Sequence, residues 1–404
     1  MVNNHTENIH QVSDSLMTLL YLSFTIYASD TMGIFIMVGL TLIIFAINYV
    51  SQSKKFSFHF GVFHIYMLIF AFFSLLSALW AKNSAYAIEK GITLLELLIC
   101  FSLLYASYYN AKIDRLLKIL MWGGVLLAIY TIFFVGLNTL NASLQDEGRL
   151  ENSFANINSI GMVCSTSLII GVYYLRKKMS ALIFLSMVPV VIIIAGSGSR
   201  KAFVMSIIGL LLLFYFQRKD TSKRKSNKTV RIIGSTLIAG ASIFVLIKSG
   251  IFSGTLGRMD GLISSITGNG KADSSTMIRS YYRLLGLEQF IKTPLLGIGM
   301  GNARILALRA TGHDAYLHCN YAEIAANGGI IGLIVCYWIY YYIFKIEKKF
   351  LKINTIAPII FILLLIRLIT DYGVVSYYSK TTYFFFMTAL LHVNTLKRYY
   401  VKKK

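Results

Sequence analysis

The sequence predicts an all-α integral membrane protein with about twelve transmembrane helices and one long, partly helical extracytoplasmic loop. Composition is the first ground. Hydrophobic residues make up 56% of the 404 residues and charged residues 14%, against roughly 45–50% and about a quarter in soluble domains. With a mean hydropathy of +0.65, a soluble fold could not hide its apolar surface behind so few charges, so a soluble enzyme is excluded. The second ground is that apolar runs near the ~18 residues of a membrane span recur from end to end. They are too long and too uniformly apolar for barrel strands, and in lipid the remaining solution is the helix. The third ground is the placement of lysine and arginine.

The apolar runs fall at roughly 15–29, 33–50, 60–80, 91–108, 115–136, 157–176, 179–197, 200–217, 230–248, 320–344, 353–370 and 381–395. The N-terminal segment lacks a basic region, so the first run is read as a retained span rather than a cleaved signal. Only Pro189, Pro294 and Pro358 occur, which predicts that most spans run uninterrupted. The four cysteines form no CxxC and support neither a disulfide framework nor a zinc site. Glu96 stands alone in the fourth span, where an acid is expensive.

With twelve spans, every basic cluster falls on one side. Lys54–Lys55, Lys112 to Lys118, Arg176 to Lys178, Arg218 to Arg231, Lys345 to Lys352 and Lys397 to Lys404 supply 24 cations there. The opposite short connections carry six: Lys82, Lys90, Arg149, Arg200, Lys201 and Lys380. Lysine and arginine mark the cytoplasmic side, so both termini are expected in the cytoplasm. The net charge of +22 is then mostly topological charge rather than a nucleic-acid footprint, and no nucleic-acid partner is expected. The chain divides into N-terminal helices over 1–248, the long outer loop 249–319, and C-terminal helices with a basic tail over 320–404. A loop of that length is expected to be functional and partly helical. Within it, Ser275–Ile291 places Ile278, Tyr281, Tyr282, Leu285 and Phe290 at helical spacings, as in a helix lying on the outer membrane surface. Pro294 and Gly297 stop it.

The unusual residues collect on the outer side. Arg149-Leu150…Phe154…Asn158 leads into span six, Gly196-Ser-Gly-Ser199-Arg200-Lys201 into span eight, and His313-Asp314…His318-Cys319-Asn320-Tyr321-Ala322-Glu323 into span ten. Arg279 and Arg283 precede Pro294-Leu-Leu-Gly297-Ile-Gly299-Met-Gly301. Helix N-termini offer free N–H donors and partial positive charge, and arginine adds a fork that matches phosphate oxygens, so the pattern suits an anion, above all a diphosphate. Each residue also has a plainer reading. Arg200 and Lys201 can be interfacial anchors, Asn158 and Asn320 helix N-caps, and His318 a satisfied interfacial histidine. The glycine run lacks the third spaced glycine and the preceding strand of a nucleotide site, and is read as a tight turn.

In this order and at these spacings, the four motifs resemble the O-antigen ligase and polymerase family, the Wzy-like polymerases and WaaL-like ligases. The match runs through Arg149-Leu150…Phe154…Asn158, Ser199-Arg200, Arg279 before PLLGIG, and His318-x-Asn320-Tyr321-x-Glu323 followed by Gly329-x-x-Gly332-Leu333. It covers about residues 145–345 by motif. The resemblance implies a membrane glycosyltransferase of GT-C type in the bacterial cytoplasmic membrane, with no cofactor and no metal. Its donor would be an oligosaccharide on undecaprenyl diphosphate and its acceptor another glycan, with a flippase and a chain-length regulator as partners. Arg200, Arg279 and Arg149 would stabilise the leaving diphosphate, and His318 would accept the hydroxyl proton. Glu323 would be an alternative base or would fix the imidazole, while Asn158, Ser199, Arg283 and Asn320 would bind substrate. Lys201 and His313, beside the matched positions, are expected to matter less. Cys319, His313-Asp314 and Arg283 depart from the family pattern and leave the acceptor open.

A polymerase of repeat units is the favoured reading, because the Lys-, Ile- and Asn-heavy composition and the His-x-Asn-Tyr-x-Glu form suit it. A ligase to lipid A-core shares the same chemistry. A secondary transporter is the reading from another class. It predicts paired halves and mid-membrane polar residues, whereas the polar motifs here lie at one rim.

Overall fold

The computed structural model describes residues 2–28, 30–51, 58–145, 150, 154–216 and 274–401. Fourteen α-helices occupy them: α1 (Val2–Ile26), α2 (Thr31–Ser51), α3 (Val62–Leu76), α4 (Ser84–Tyr108), α5 (Ile113–Val135), α6 (Leu137–Gln145), α7 (Ile157–Lys177), α8 (Ala181–Gly196), α9 (Arg200–Phe216), α10 (Ser274–Lys292), α11 (Ala303–Thr311), α12 (Asn320–Phe350), α13 (Ala357–Thr370) and α14 (Lys380–Val401). No strand occurs among the described residues. Helices stand at eleven of the twelve apolar runs; the ninth run, residue Arg149 and the first part of the long loop lie outside the described residues. Among the described residues, five helices are long and apolar enough to cross a membrane: α2, α3 with its terminal turn, α5, α7 and α12. The described residues are all-helical, and the chain is a multi-pass membrane protein.

One end of the bundle is basic. Arg115 makes a two-point ion pair with Asp14, its Nε and one Nη each 2.8 Å from a carboxylate oxygen. Lys118 pairs with Asp114 at 3.0 Å, Lys177 lies over the Tyr173 ring, and Arg398 donates to the carbonyl of Tyr109. The start of α5 and the ends of α4, α7 and α14 thus gather there. This also explains why α1 starts at Val2, well before the first apolar run. Its polar third and fourth turns, ahead of the apolar run, are held by Arg115, which donates to His10 O as well as to Asp14.

The opposite end is shaped by a break in α12. Gly329 has φ 59° and ψ −155°, a conformation open essentially to glycine alone. The tenth apolar run, expected as one span, is thereby corrected to a half-helix, Asn320–Gly328, and a long segment, Ile330–Phe350, with the Asn327-Gly328-Gly329 step at the break. At 1.5 Å per residue the latter is about 30 Å long, the thickness of the hydrocarbon core. The half-helix is therefore not needed to cross the bilayer and is available to build the rim.

The break is stable because its backbone groups are partnered from elsewhere. Ile298 and Gly299 donate their N–H groups to Ala326 O and Asn327 O at 3.0 and 2.9 Å, and Ile330 and Ile331 donate to Pro294 O and Leu295 O at 2.8 and 3.3 Å. The Pro294–Gly301 run is a turn with Gly297, Gly299 and Gly301 all at positive φ. A Cβ at Gly297 would sit 2.4 Å from the Asn327 backbone, so only glycine admits this closeness. Asn302 ties the turn to the start of α4: its Oδ1 accepts from Asn83 N at 2.7 Å and its Nδ2 donates to Asn83 O at 3.1 Å.

Helix α10 realises the helical expectation for Ser275–Ile291. Met277, Ile278, Tyr281, Leu284, Leu287 and Ile291 are exposed along one side, whereas Tyr282 and Gln289 are buried on the other. Gly286 lets the buried side approach α12, because a Cβ there would meet Ala322 O at 3.0 Å.

Candidate active site

A cavity of about 520 Å³ opens where the N-termini of α7, α9 and α12 meet, closed on one flank by α10 and on another by the segment after α13. Its polar lining comes from Asn156, Asn158 and Ser159, from Lys201, from Arg279, and from Tyr316 and His318. Three expected site residues, Asn158, Arg279 and His318, are thereby brought to one place.

Helix α7 starts at Asn156, whose side chain accepts from Asn158 N at 3.0 Å. The cap is therefore Asn156 and not Asn158, which leaves the Asn158 amide on the cavity wall. One turn on, Gly161 allows α9 to approach: a Cβ there would lie 2.9 Å from Ala202 Cβ. Ser165 Oγ also donates to Ala202 O at 2.8 Å.

The Gly-Ser-Gly-Ser run spends its hydroxyls on its own backbone. Ser197 Oγ accepts from Ser199 N at 3.2 Å, and Ser199 Oγ accepts from Ala202 N at 3.4 Å. Ser199 is buried and is a helix cap rather than part of the cavity lining. The two cations that follow point apart, as successive helical residues do at about 100°. Arg200 donates to Thr276 Oγ1 of α10 at 3.0 Å and does not line the cavity. Lys201 lines it, with its ammonium hydrogen-bonded to the carbonyl of Gly373. The expectation that Arg200 faces the substrate and Lys201 stands aside is thus reversed in placement.

His318 is the single non-glycine residue at positive φ among those described, at 58°. Such a backbone costs on the order of 1–3 kcal/mol and persists only where its surroundings enforce it. The enforcing contacts lie on both sides of it. Leu317 N donates to Glu323 Oε2 at 2.8 Å, and Asn320 N donates to Asp371 O at 2.7 Å. The imidazole stacks on Tyr282, with centroids 6.1 Å apart and planes within 11°, and tilts against Tyr316 at 4.3 Å. Burial, then the charges of Arg279 and Lys201, push its pKa down from the usual histidine value to about 4. The ring is therefore neutral at physiological pH and has a lone pair to accept a proton.

Glu323, 3% exposed, is occupied in holding the Leu317 turn and is not part of the cavity lining. Asn320 is likewise interior. Its Nδ2 donates to Tyr337 Oη at 2.8 Å, and its Oδ1 accepts from Ser376 N and Tyr377 N at 2.9 and 3.1 Å. It is neither the α12 cap, a position held by Cys319, nor a wall of the cavity. Arg283 donates to Ser280 Oγ at 2.7 Å and lies over the Tyr372 ring. Asp314, beside His313, is ion-paired with Arg304. Tyr316 and Asn156 belong to the cavity without having been proposed as site residues from sequence, and Lys201, expected to matter less, lines it as well. For Tyr316 the only available signal is its place two residues before the histidine. Among the described residues no three His, Cys, Asp or Glu side chains come together as a metal-binding group.

Fold and site together define a multi-pass helical membrane protein with a cationic, histidine-bearing cavity at one rim. Residues 182–337 match the family model described as O-antigen ligase. The matched segment contains Arg200, Lys201, Arg279 and His318; Asn158 precedes it. No curated protein matches the chain.

Proposed function

We propose that the protein is a polymerase of surface-polysaccharide repeat units, and that it transfers a glycan from undecaprenyl diphosphate to a sugar hydroxyl of an acceptor repeat unit. The observation that carries the reading is the convergence of Arg279 and a neutral His318 on one cavity at the bundle rim, within a chain matching the O-antigen ligase family. In the reaction, the acceptor oxygen bonds to the anomeric carbon. The bond from that carbon to the diphosphate oxygen breaks, and its electron pair leaves with undecaprenyl diphosphate. The hydroxyl proton passes to the His318 imidazole and then to solvent. Charge accumulates on the departing diphosphate, so the guanidinium of Arg279 stabilises the transition state more than the ground state. The same anion offsets the cations beside His318 and so raises the proton affinity of the imidazole when it is needed. Asn158 orients sugar or phosphate oxygens from the start of α7.

The cavity lies at the end of the bundle opposite the Arg115, Lys118 and Arg398 cluster, which supports an outward-facing site and cytoplasmic termini by the positive-inside rule. Surface labelling of a single Gly270→Cys in intact cells by an impermeant thiol reagent checks this; labelling only after lysis puts the site on the wrong side. The glycan ladder of a deletion strain separates polymerase from ligase. Loss of a polymerase leaves single repeat units on carrier or acceptor. Full-length polymer accumulating on undecaprenyl diphosphate, with none on lipid A-core, identifies a ligase instead.

A further inference from the structure

Two adjacent cations at the start of α9 do different work, and the resemblance-matched one is not the one at the cavity. We infer that Lys201 is the second cationic contact for the donor diphosphate, beside Arg279 in the same cavity, and that Arg200 is a positioning residue acting through α10. The inference rests on the polyprenyl-diphosphate reading above and deepens it by naming which groups hold the anion.

Three observations carry it. The first is placement: Lys201 lines the cavity with Arg279 and His318. The second is a built seat. The Lys201 stem lies across Gly373, where a Cβ would come within 2.9 Å of Lys201 Cε and 3.6 Å of Nζ. The ammonium bonds the Gly373 carbonyl, and Val374, next along, lines the same cavity. The seat is itself fixed by the buried Asp371, which accepts from Ser376 Oγ at 2.6 Å and Tyr337 Oη at 3.0 Å. A lysine left to snorkel needs no such cradle, whereas a site that must present a point charge at one spot does. The third is the place of Arg200, whose guanidinium donates to Thr276, three residues before Arg279 on α10. That link joins the helix presenting Lys201 to the helix presenting Arg279 and sets the gap between the two cations. An ammonium from α9 and a guanidinium from α10 lining one cavity suit an anion that carries more than one negative charge spread over several oxygens, as a diphosphate does and a single carboxylate does not.

The test uses full-length protein in detergent or nanodiscs with inorganic pyrophosphate as the probe, read by calorimetry, alongside transfer from a polyprenyl-diphosphate donor. Lys201→Ala is expected to weaken pyrophosphate binding about tenfold or more, and Lys201→Arg to recover most of it. Gly373→Ala, which crowds the seat, is expected to weaken binding in the same direction without touching the charge. Arg200→Ala is expected to lower kcat more than it raises the donor KM, and Thr276→Val to lower kcat likewise. The effects of these two substitutions should not add, because they break one contact. Wild-type pyrophosphate affinity in a folded Lys201→Ala protein, or loss of binding in Arg200→Ala with Lys201→Ala unaffected, overturns the inference. Absence of transfer by the wild type, with pyrophosphate binding following Lys201 as stated, overturns the polymerase reading and leaves the anion site standing.

Discussion

The cavity wall and the bed directly behind it are built from neighbouring residues of the same motifs, yet their polar groups are used in opposite ways. On the wall, His318 holds a strained backbone and a depressed pKa beside two cations. In the bed, Asn320, Glu323 and Asp371 lie buried with their side chains engaged by protein partners. Asn302 does the same at the glycine turn. The difference teaches that a motif such as His-x-Asn-Tyr-x-Glu is not a row of equivalent catalytic groups. One member is presented, and the others enforce its presentation. A buried polar group with all its bonds made cannot turn to substrate without leaving its partners unsatisfied, at about 1–3 kcal/mol each.

The comparison breaks most visibly by substitution on the wall. His318→Ala is expected to lower transfer roughly 10²- to 10⁴-fold, with the protein remaining folded by size-exclusion chromatography and thermal unfolding. Arg279→Lys is expected to stay poor, because a point charge does not replace a two-oxygen fork. A wild-type rate in either would place the chemistry elsewhere.

Substitution in the bed is expected to strike stability first. Asn320→Ala leaves Tyr337, Ser376 N and Tyr377 N without their present partner. It is expected to lower stability by about 1–3 kcal/mol, seen as a reduced unfolding midpoint in detergent. Unchanged thermal stability with abolished donor binding would move Asn320 to the wall.

Proton uptake sharpens the distinction further. His318 sits among Arg279, Lys201, Tyr282 and Tyr316, and its folded pKa of about 4 lies below the usual value of about 6.5. The neutral, proton-accepting form therefore persists as pH falls through 6.5 and is lost only near 4. The acid limb of kcat/KM, which reports the free enzyme, is expected well below 6. An acid limb at or above 6.5 would contradict the burial and the cationic surroundings of the ring. The smallest effect is conformational. His318→Gly removes the same ring as His318→Ala but tolerates φ 58°, so it is expected to be more stable than the alanine variant by about 1–2 kcal/mol, compared by denaturant midpoint.

Much of the fold was legible because hydropathy reports burial in lipid directly, and helices stand at eleven of the twelve apolar runs. Polar stretches were less transparent. The early start of α1 depends on Arg115 reaching Asp14 from α5, and no local signal announces that. Helix α6 is short and was not foreseen. The break at Gly329 follows Asn327-Gly328, a turn-forming step that a count of apolar residues passes over, and the partnering of Pro294–Gly299 against it satisfies the freed backbone groups. At the site, Asn158, Arg279 and His318 were singled out from sequence because their residue types suit anion and proton chemistry. Choosing between Arg200 and Lys201 was beyond the sequence, since the choice turns on the phase of α9 and on a glycine more than 170 residues away.

The most direct test is reconstitution of the purified protein with a glycan on undecaprenyl diphosphate, following release of undecaprenyl diphosphate together with growth of the glycan. The wild type is expected to release one lipid diphosphate for each glycosidic bond formed, and folded Arg279→Ala and His318→Ala proteins are expected to do neither at a comparable rate. Equal release and chain growth in all three would contradict the assignment of the chemistry to this cavity.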